Sequence, residues 1–193
     1  MPAVRPLYSK MIMKKISLLF VERNPSLRFI VISPFIIFLL FIITSAVLSP
    51  YFETNVMVRE YQMTNSILGK ICHQYPSRCF YLFGSNMGLC ARCFSIYSTI
   101  FIFCVLSVFF DMRASLKSKS IIAMSLCVPL LLDGITQYYG LRESNNFLRL
   151  FTGFSAGMGI SIIFISTYIV GAVKVTERIF KIVTTKGGIN YER

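Results

Sequence analysis

The sequence predicts an all-α protein: an integral membrane bundle of four transmembrane helices, with a long and partly helical first loop on the outer face. Of its 193 residues, 55% are hydrophobic and only 15% are charged, which is too apolar for an ordinary soluble domain. The net charge of +12 comes from lysines and arginines in short segments between apolar runs. Because these residues form no dense basic stripe, the charge indicates membrane topology and argues against a nucleic-acid partner.

The first transmembrane helix is predicted at residues 29–48, after a basic cytoplasmic tail at 1–28. These twenty residues carry no charge, and at about 1.5 Å per residue they cross a hydrocarbon layer of about 30 Å. A cleaved signal peptide is the alternative, because small residues occur at Ser45, Ala46 and Ser49. The apolar run is, however, longer than the one such peptides carry.

A connection at residues 50–88 follows, and loops of this length usually have a function or hold structure of their own. Apolar residues recur between polar ones from Val56 to Ile71, which predicts a short amphipathic helix lying on the membrane or the bundle. The second transmembrane helix is predicted at 89–110, with Leu89 to Cys93 as its first turn.

The third transmembrane helix is predicted at 120–139, after a short linker. It contains Pro129, Asp133 and Gln137. Membrane helices tolerate such residues where they face neighbouring helices or a wet cavity, so this stripe is predicted to face the interior. Gly134 is expected to let a neighbouring helix approach.

The fourth transmembrane helix is predicted at 145–173, followed by a basic cytoplasmic tail at 174–193. Gly153 and Gly157 are four residues apart and form a Gly-x-x-x-Gly face. Small residues at this spacing allow two membrane helices to pack closely.

Orientation follows from the distribution of the 20 lysines and arginines. Fourteen of them lie in the two terminal tails and the second connection, against six in the remaining segments. Basic residues are retained in the cytoplasm, so both termini are expected on the cytoplasmic side of a plasma (inner) membrane. The first and third connections, which carry the polar motifs, are then on the outer face.

The strongest chemical signal is the set Cys72, His73, Cys90 and Cys93, which holds the only histidine of the chain. Three thiolates and an imidazole are a sufficient first shell for a tetrahedral metal ion, and soft thiolates suit zinc. The metal hypothesis is therefore a zinc site with these four ligands and with Cys79 outside the shell.

Two other interpretations of the cysteines stay open. Cys90 and Cys93 form a Cys-x-x-Cys pair at a helix N-terminus, where the helix dipole and Arg92 favour thiolates, so they suit a thiol-disulfide reaction with Cys72 and Cys79 as a second pair. The alternative is a static disulfide or buried thiols that act as small apolar residues. That structural role is favoured for the two cysteines inside spanning segments, Cys104 and Cys127.

A second polar site is predicted around Asp133. Gln137 lies four residues later, on the same helical face. A carboxylate in a membrane needs a partner, and Arg142 and Arg149 are the nearest cations along the chain. The two arginines suit an anionic lipid or phosphate, because guanidinium binds such groups bidentately. The simpler alternative is an ion pair that only sets the helix register.

The motifs of the middle and second half form one pattern: Cys72-His73-Gln74, Arg78, Cys90-Ala91-Arg92-Cys93, Ile96-Tyr97, Asp133-Gly134-Ile135-Thr136-Gln137, Gly140-Leu141-Arg142, Ser144-Asn145, Arg149 and Thr152-Gly153. This pattern, from about Ile71 to Gly159, resembles the uncharacterised prokaryotic membrane proteins of domain-of-unknown-function family 2085. The resemblance implies a membrane protein and no assigned reaction. Members usually have Ser where this chain has Cys79, which weakens the scheme with two dithiols.

The second half also resembles, more loosely, the VanZ-like membrane proteins, through Asp133, Gln137, Arg142, Asn145 and Gly153. That family is linked to glycopeptide-antibiotic resistance and to the cell envelope. The resemblance implies an envelope or lipid-related role and supplies no mechanism.

The leading hypothesis is therefore an envelope membrane protein whose outer site binds, and modifies if it is an enzyme, an anionic lipid or envelope precursor. The candidate catalytic residues are His73, Asp133 and Arg142, and the candidate ligand-binding residues are Gln74, Arg92, Gln137, Asn145 and Arg149. One alternative is a quinone-coupled thiol-disulfide oxidoreductase that uses Cys90 and Cys93. Another is a non-enzymatic envelope or resistance factor. Membrane lipids are the expected partners.

Overall fold

The computed structural model describes residues 25–54, 58–110 and 115–186. Within these ranges the chain forms five α-helices, one short 3-10 helix and one β-hairpin, in the order α1 (Pro25–Thr54), α2 (Val58–Leu68), the 3-10 helix (Pro76–Arg78), β1 (Cys79–Leu82), β2 (Ser85–Cys90), α3 (Ala91–Phe109), α4 (Leu116–Tyr138) and α5 (Asn146–Lys186). In the described part of the chain, four segments are long and apolar enough to span a membrane: α1, α3, α4 and Asn146–Ile169 of α5. The predicted all-α fold class is confirmed, and the protein is a multi-pass membrane protein.

The helices differ from their predicted bounds mainly at the ends. The first helix runs from Pro25 to Thr54 rather than over 29–48, and Pro50 lies inside it. Pro50 is fully buried in this last part of the helix, which packs against β2, and this contact holds the turn that a proline would otherwise weaken. The fourth helix continues to Lys186, beyond the predicted 173. Of the predicted basic tails, residues 1–24 and 187–193 lie outside the described residues.

The first loop contains the predicted amphipathic helix, observed as α2, and a β-hairpin that the sequence analysis does not anticipate. The strands β1 and β2 pair antiparallel, with Leu82 opposite Ser85. The two residues between them, Phe83 and Gly84, both have positive φ, at 49° and 88°. Two such residues in a row make the turn whose twist suits a tight hairpin, and glycine adopts this conformation without steric cost.

The hairpin packs on the ends of α1 and α2. A buried apolar cluster joins Ile42 and Ala46 of α1 to Leu68 of α2 and to Met87 and Leu89 of β2. Because β2 extends through Cys90, α3 begins at Ala91, two residues later than predicted. We call the side of the bundle that carries this structure the hairpin end.

A chain of amide and hydroxyl groups fixes the hairpin on these helices. Gln74, which has a positive φ of 51°, donates from Nε2 to the Gly88 carbonyl at 2.8 Å and to Asn65 Oδ1 at 3.4 Å. Ser49 of α1 donates to the same Asn65 oxygen at 3.0 Å. The structure places Gln74 in this network, and its predicted role in ligand binding stays a prediction.

Helix α5 packs closely on its neighbours through glycines. A Cβ at Gly153 would lie 2.6 Å from the backbone oxygen of Arg92, and one at Gly157 would lie 2.8 Å from the Thr99 side chain. The predicted Gly-x-x-x-Gly contact therefore joins α5 to α3. The expectation for Gly134 is wrong, because nothing lies within 4 Å of a Cβ built there. Helix α4 buries only Ala123 and Asp133 fully, so its interior stripe is narrow.

Replacing Gly153 by alanine is expected to destabilise the bundle by about 1 to 3 kcal/mol, because the added methyl group overlaps backbone that has no room to move. Thermal unfolding in detergent measures the effect. Gly171→Ala is the matched control, since a Cβ there meets nothing within 4 Å and alanine favours helix. Equal melting temperatures for the two variants contradict close packing at Gly153.

Candidate functional site

Three cysteines meet at the hairpin end. The Sγ atoms of Cys72, Cys90 and Cys93 all lie within 4.8 Å of one another, and we call this group the thiol cluster. Cys72 follows α2, where its backbone N–H donates to the Leu68 carbonyl at 3.0 Å. Cys90 ends β2, and Cys93 lies in the first turn of α3. The predicted approach of the Cys-x-x-Cys pair to Cys72 is therefore observed.

The surroundings of Cys72 favour the thiolate form. Its Sγ accepts hydrogen bonds from the backbone N–H groups of Cys90 at 3.3 Å and of Gln74 at 3.5 Å. Hydrogen bonds from the Cys90 and Cys93 thiols are the largest cause that holds the pKa of Cys72 well below its usual value, and they outweigh the opposing effect of burial. All six cysteines lie in the described ranges, and each is a free thiol.

His73 does not join the thiol cluster, which corrects the predicted set of four ligands. Its side chain is exposed and its ring stacks on Tyr75, with centroids 5.9 Å apart and planes 9° from parallel. Cys72 is buried while His73, the next residue, is exposed, so only the first of this adjacent pair reaches the thiol cluster. Its predicted role as a general base stays a prediction.

Cys79 lies outside the three-sulfur group but close to it in the fold. It is buried, at 6% exposure, and is the direct partner of Cys90 across the hairpin. Burial raises the pKa of its thiol to about 12, with further contributions from Cys90 and Cys72. The structure thus places Cys79 beside Cys90, and a second dithiol of Cys72 with Cys79 stays a prediction.

A buried ion pair forms the second part of the site. Arg92 of α3 donates through one Nη to Oδ2 of Asp133 in α4, whose side chain is only 2% exposed. Gln137 donates to the same oxygen at 3.0 Å. Arg142 lies 3.5 Å from the other carboxylate oxygen and is 57% exposed.

The predicted partners of Asp133 are thus corrected in part. Arg142 is a partner, but Arg92 makes the direct contact, and Arg149 instead donates to Asn146 Oδ1 at 2.9 Å. Sequence distance is a poor guide here because Arg92 lies 41 residues from Asp133 and reaches it only through helix packing.

Beside this pair the structure has a polar cavity of about 470 Å³, which we call the arginine pocket. It lies where the turn before β1 meets the connection between α4 and α5. Its lining residues are Ser77, Arg78, Gln137, Gly140, Arg142, Glu143, Ser144, Asn145, Asn146 and Arg149. Three guanidinium groups and one carboxylate therefore face the same space.

The arginine pocket contains a buried cation that is not fully paired. Arg149 is only 8% exposed, and among the described residues its Nε has no hydrogen-bond partner. Asn146 supports it from one side and also donates to the Cys79 carbonyl at 3.4 Å. An unpaired buried guanidinium nitrogen is costly, so a ligand that accepts from it gains affinity.

One further predicted residue, Asn145, lines the arginine pocket together with residues that the sequence did not indicate. Asn145 caps α5, where its Oδ1 accepts from the Leu148 N–H at 2.8 Å, and it also lines the arginine pocket. Sequence reasoning did not assign a site role to Ser77, Arg78 or Asn146. Arg78 lies over the Tyr75 ring, 5.2 Å from its centroid. The nearest signal in the sequence was the polar segment before the fourth helix.

Comparison with known proteins finds matches to the region of the chain that carries both parts of the site. The family model described as "Predicted membrane protein (DUF2085)" matches residues 72–163. Uncharacterized protein MJ1492 of Methanocaldococcus jannaschii is 39% identical over 140 residues, which cover 68% of this chain and 85% of that protein. The chain belongs to the DUF2085 family. The match includes both the thiol cluster and the arginine pocket of this DUF2085 protein.

A second relative is an uncharacterized protein of Methanothermobacter thermautotrophicus, 36% identical over 93 residues that cover 48% of this chain and 83% of that protein. No solved structure matches the chain. The looser likeness to VanZ-like proteins is not shown by these comparisons. Membership of the DUF2085 family assigns no reaction, so only the site indicates a function.

Arg92→Gln is expected to destabilise the protein by about 3 to 5 kcal/mol, because it leaves the Asp133 carboxylate buried without its main partner. Arg142→Gln is expected to cost less than about 1 kcal/mol, because Arg142 is more than half exposed and its contact is longer. Unfolding in detergent measures both. The double variant Arg92→Gln/Asp133→Asn is expected to recover part of the stability lost in Arg92→Gln. Equal losses of stability in Arg92→Gln and Arg142→Gln would contradict the greater importance of Arg92.

Proposed function

We propose that this protein binds a phosphate-bearing membrane lipid, with the phosphate in the arginine pocket. The observation that carries the proposal is the convergence of Arg78, Arg142 and the buried Arg149 on one cavity. Guanidinium groups bind phosphate oxygens through paired N–H donors, and Arg149 has a buried N–H in need of an acceptor.

The charge balance supports an anionic ligand. Glu143 is the single acid among the lining residues, and the nearby Asp133 is compensated by Arg92. Because Asp133 already has a close cationic partner, its carboxylate neutralises little of the positive charge of Arg78 and Arg149. The pocket therefore keeps a net positive charge that a phosphate group neutralises.

The position of the pocket supports a lipid rather than a free ion. It lies where α4 ends and α5 begins, at one end of two membrane-spanning segments. The neighbouring aromatic side chains of Tyr138, Tyr139 and Phe147 are 86%, 70% and 79% exposed. Aromatic residues at this level anchor a protein in the headgroup layer, which brings lipid phosphates to the mouth of the pocket.

The predicted chemical roles divide accordingly. Arg142 and Arg149 would hold the phosphate, and Asn145 with Gln137 would complete the polar lining. Asp133 would position Arg92 and Gln137 rather than act on the ligand, because both donors occupy one of its oxygens. Lipid modification would need a general base, and the role of His73 stays a prediction.

The oxidoreductase alternative is less well supported. Cys90 and Cys93 are free thiols and adjacent, as that chemistry requires. A quinone, however, needs an apolar site beside the thiols. An apolar cavity of about 390 Å³ lies between α1 and α2, and no cysteine lines it.

We further propose that the hairpin end faces outward from the plasma membrane, with both termini in the cytoplasm. The proposal rests on the excess of lysine and arginine in the tails and the second connection. It places the arginine pocket in the outer leaflet.

Arg78→Gln and Arg142→Gln are each expected to weaken binding of short-chain phosphatidic acid about tenfold or more, because each removes charge-assisted hydrogen bonds. Titration calorimetry of the purified protein in a nonionic detergent measures binding. Phosphatidylcholine and inorganic phosphate are titrated in parallel. Binding of inorganic phosphate with equal affinity contradicts a lipid ligand, and indifference to both substitutions contradicts the pocket.

Two variants serve as controls for this titration. Arg59→Gln removes an exposed arginine of α2 that does not line the pocket, so affinity is expected to stay unchanged. Glu143→Gln removes the acid from the lining, so affinity is expected to rise. Equal loss in all arginine variants would show a general charge effect and contradict a specific site.

Topology is tested by reporter fusions. Alkaline phosphatase fused after Arg193 is expected to be inactive, because a cytoplasmic C-terminus keeps it reduced. The same enzyme inserted at the hairpin turn, after Gly84, is expected to be active. The opposite result places the arginine pocket on the cytoplasmic side and overturns the proposed orientation.

A further inference from the structure

The thiol cluster has three sulfur atoms where a structural zinc site has four ligands. Cys72, Cys90 and Cys93 are within 4.8 Å of one another, and the predicted fourth ligand, His73, is exposed and stacked on Tyr75. Structural zinc sites are almost always tetrahedral and closed by four protein ligands. The structure therefore raises the question of which side chain completes the set.

Cys79 has the position that the fourth ligand requires. It is buried and lies directly opposite Cys90 in the hairpin, so the two side chains share one face of the pair. Cβ atoms of such pairs are about 5 Å apart. A tetrahedron with zinc–sulfur bonds of about 2.3 Å has sulfur atoms about 3.8 Å apart, which a side-chain rotation of Cys79 can satisfy.

Other features of the hairpin end favour a site of several thiolates. The Sγ of Cys72 accepts backbone N–H groups from Gln74 and Cys90. Cys90 directly precedes α3 and Cys93 lies in its first turn, where the positive end of the helix dipole stabilises anions.

We propose that Cys72, Cys79, Cys90 and Cys93 form a four-thiolate zinc site, with Cys79 in place of the histidine. Zn²⁺ binding releases the remaining thiol protons to water and forms four zinc–sulfur bonds, without any change of oxidation state. The site ties the end of α2 and both strands to the start of α3. It is independent of the phosphate-binding proposal, because none of the four cysteines lines the arginine pocket.

The experiment loads the full-length protein with Zn²⁺ under reducing conditions in detergent. Metal content, X-ray absorption at the zinc edge and competition with a chromogenic chelator give stoichiometry, ligands and affinity. We expect one zinc per chain with four sulfur ligands at about 2.3 Å. Cys79→Ser is expected to weaken zinc binding at least about tenfold, since even outer partners of a metal site have effects of this size.

Two variants act as matched controls. His73→Ala is expected to leave affinity and sulfur count unchanged, because its ring is outside the cluster. Cys127→Ser, in α4 and outside the cluster, is expected to do the same. Helical circular dichroism of each variant, together with the phosphatidic acid titration, separates loss of zinc from loss of fold and from failure of the arginine pocket.

Four results would overturn the proposal. Loss of affinity in His73→Ala with a sulfur count of three would restore the histidine ligand. Unchanged affinity in Cys79→Ser would leave a three-thiolate site. Absence of bound zinc in the reduced parent protein would exclude the site. So would a disulfide between Cys79 and Cys90 that forms in protein purified without reductant and prevents zinc loading.

Discussion

The ion pair between Arg92 and Asp133 is the constraint on which the hairpin end depends. A carboxylate that is 2% exposed inside a membrane bundle must be compensated, and Arg92 does so from a different helix. The backbone oxygen of Arg92 lies at the close contact between α3 and Gly153 of α5. One residue therefore links the electrostatics of α3 and α4 to the packing of α5.

This ion pair also explains how the arginine pocket keeps its charge. Arg92 and Gln137 bind one oxygen of Asp133, and Arg142 is 3.5 Å from the other. Arg149 is then directed to Asn146, and its Nε is left with no partner in the described region. The bundle thus concentrates cationic side chains at one end, at an energetic cost that an anionic ligand would offset.

The thiol cluster and the arginine pocket are neighbours because they share short segments of chain. Arg92 lies between Cys90 and Cys93, and Asn146 holds both Arg149 and the carbonyl of Cys79. A metal ion on the cysteines would stiffen the hairpin and the start of α3 together.

The sequence by itself determined the class of protein, the four spanning segments and the grouping of cysteines, because hydrophobic length, charge and local spacing act within one segment. These local properties did not predict the hairpin turn at Phe83 and Gly84, nor did they predict which residue pairs with Asp133. The tertiary structure decided that Arg92 meets Asp133 across 41 residues, that His73 turns outward and that Cys79 faces Cys90. These outcomes depend on how separate helices and strands pack, and no local pattern records the contacts between them.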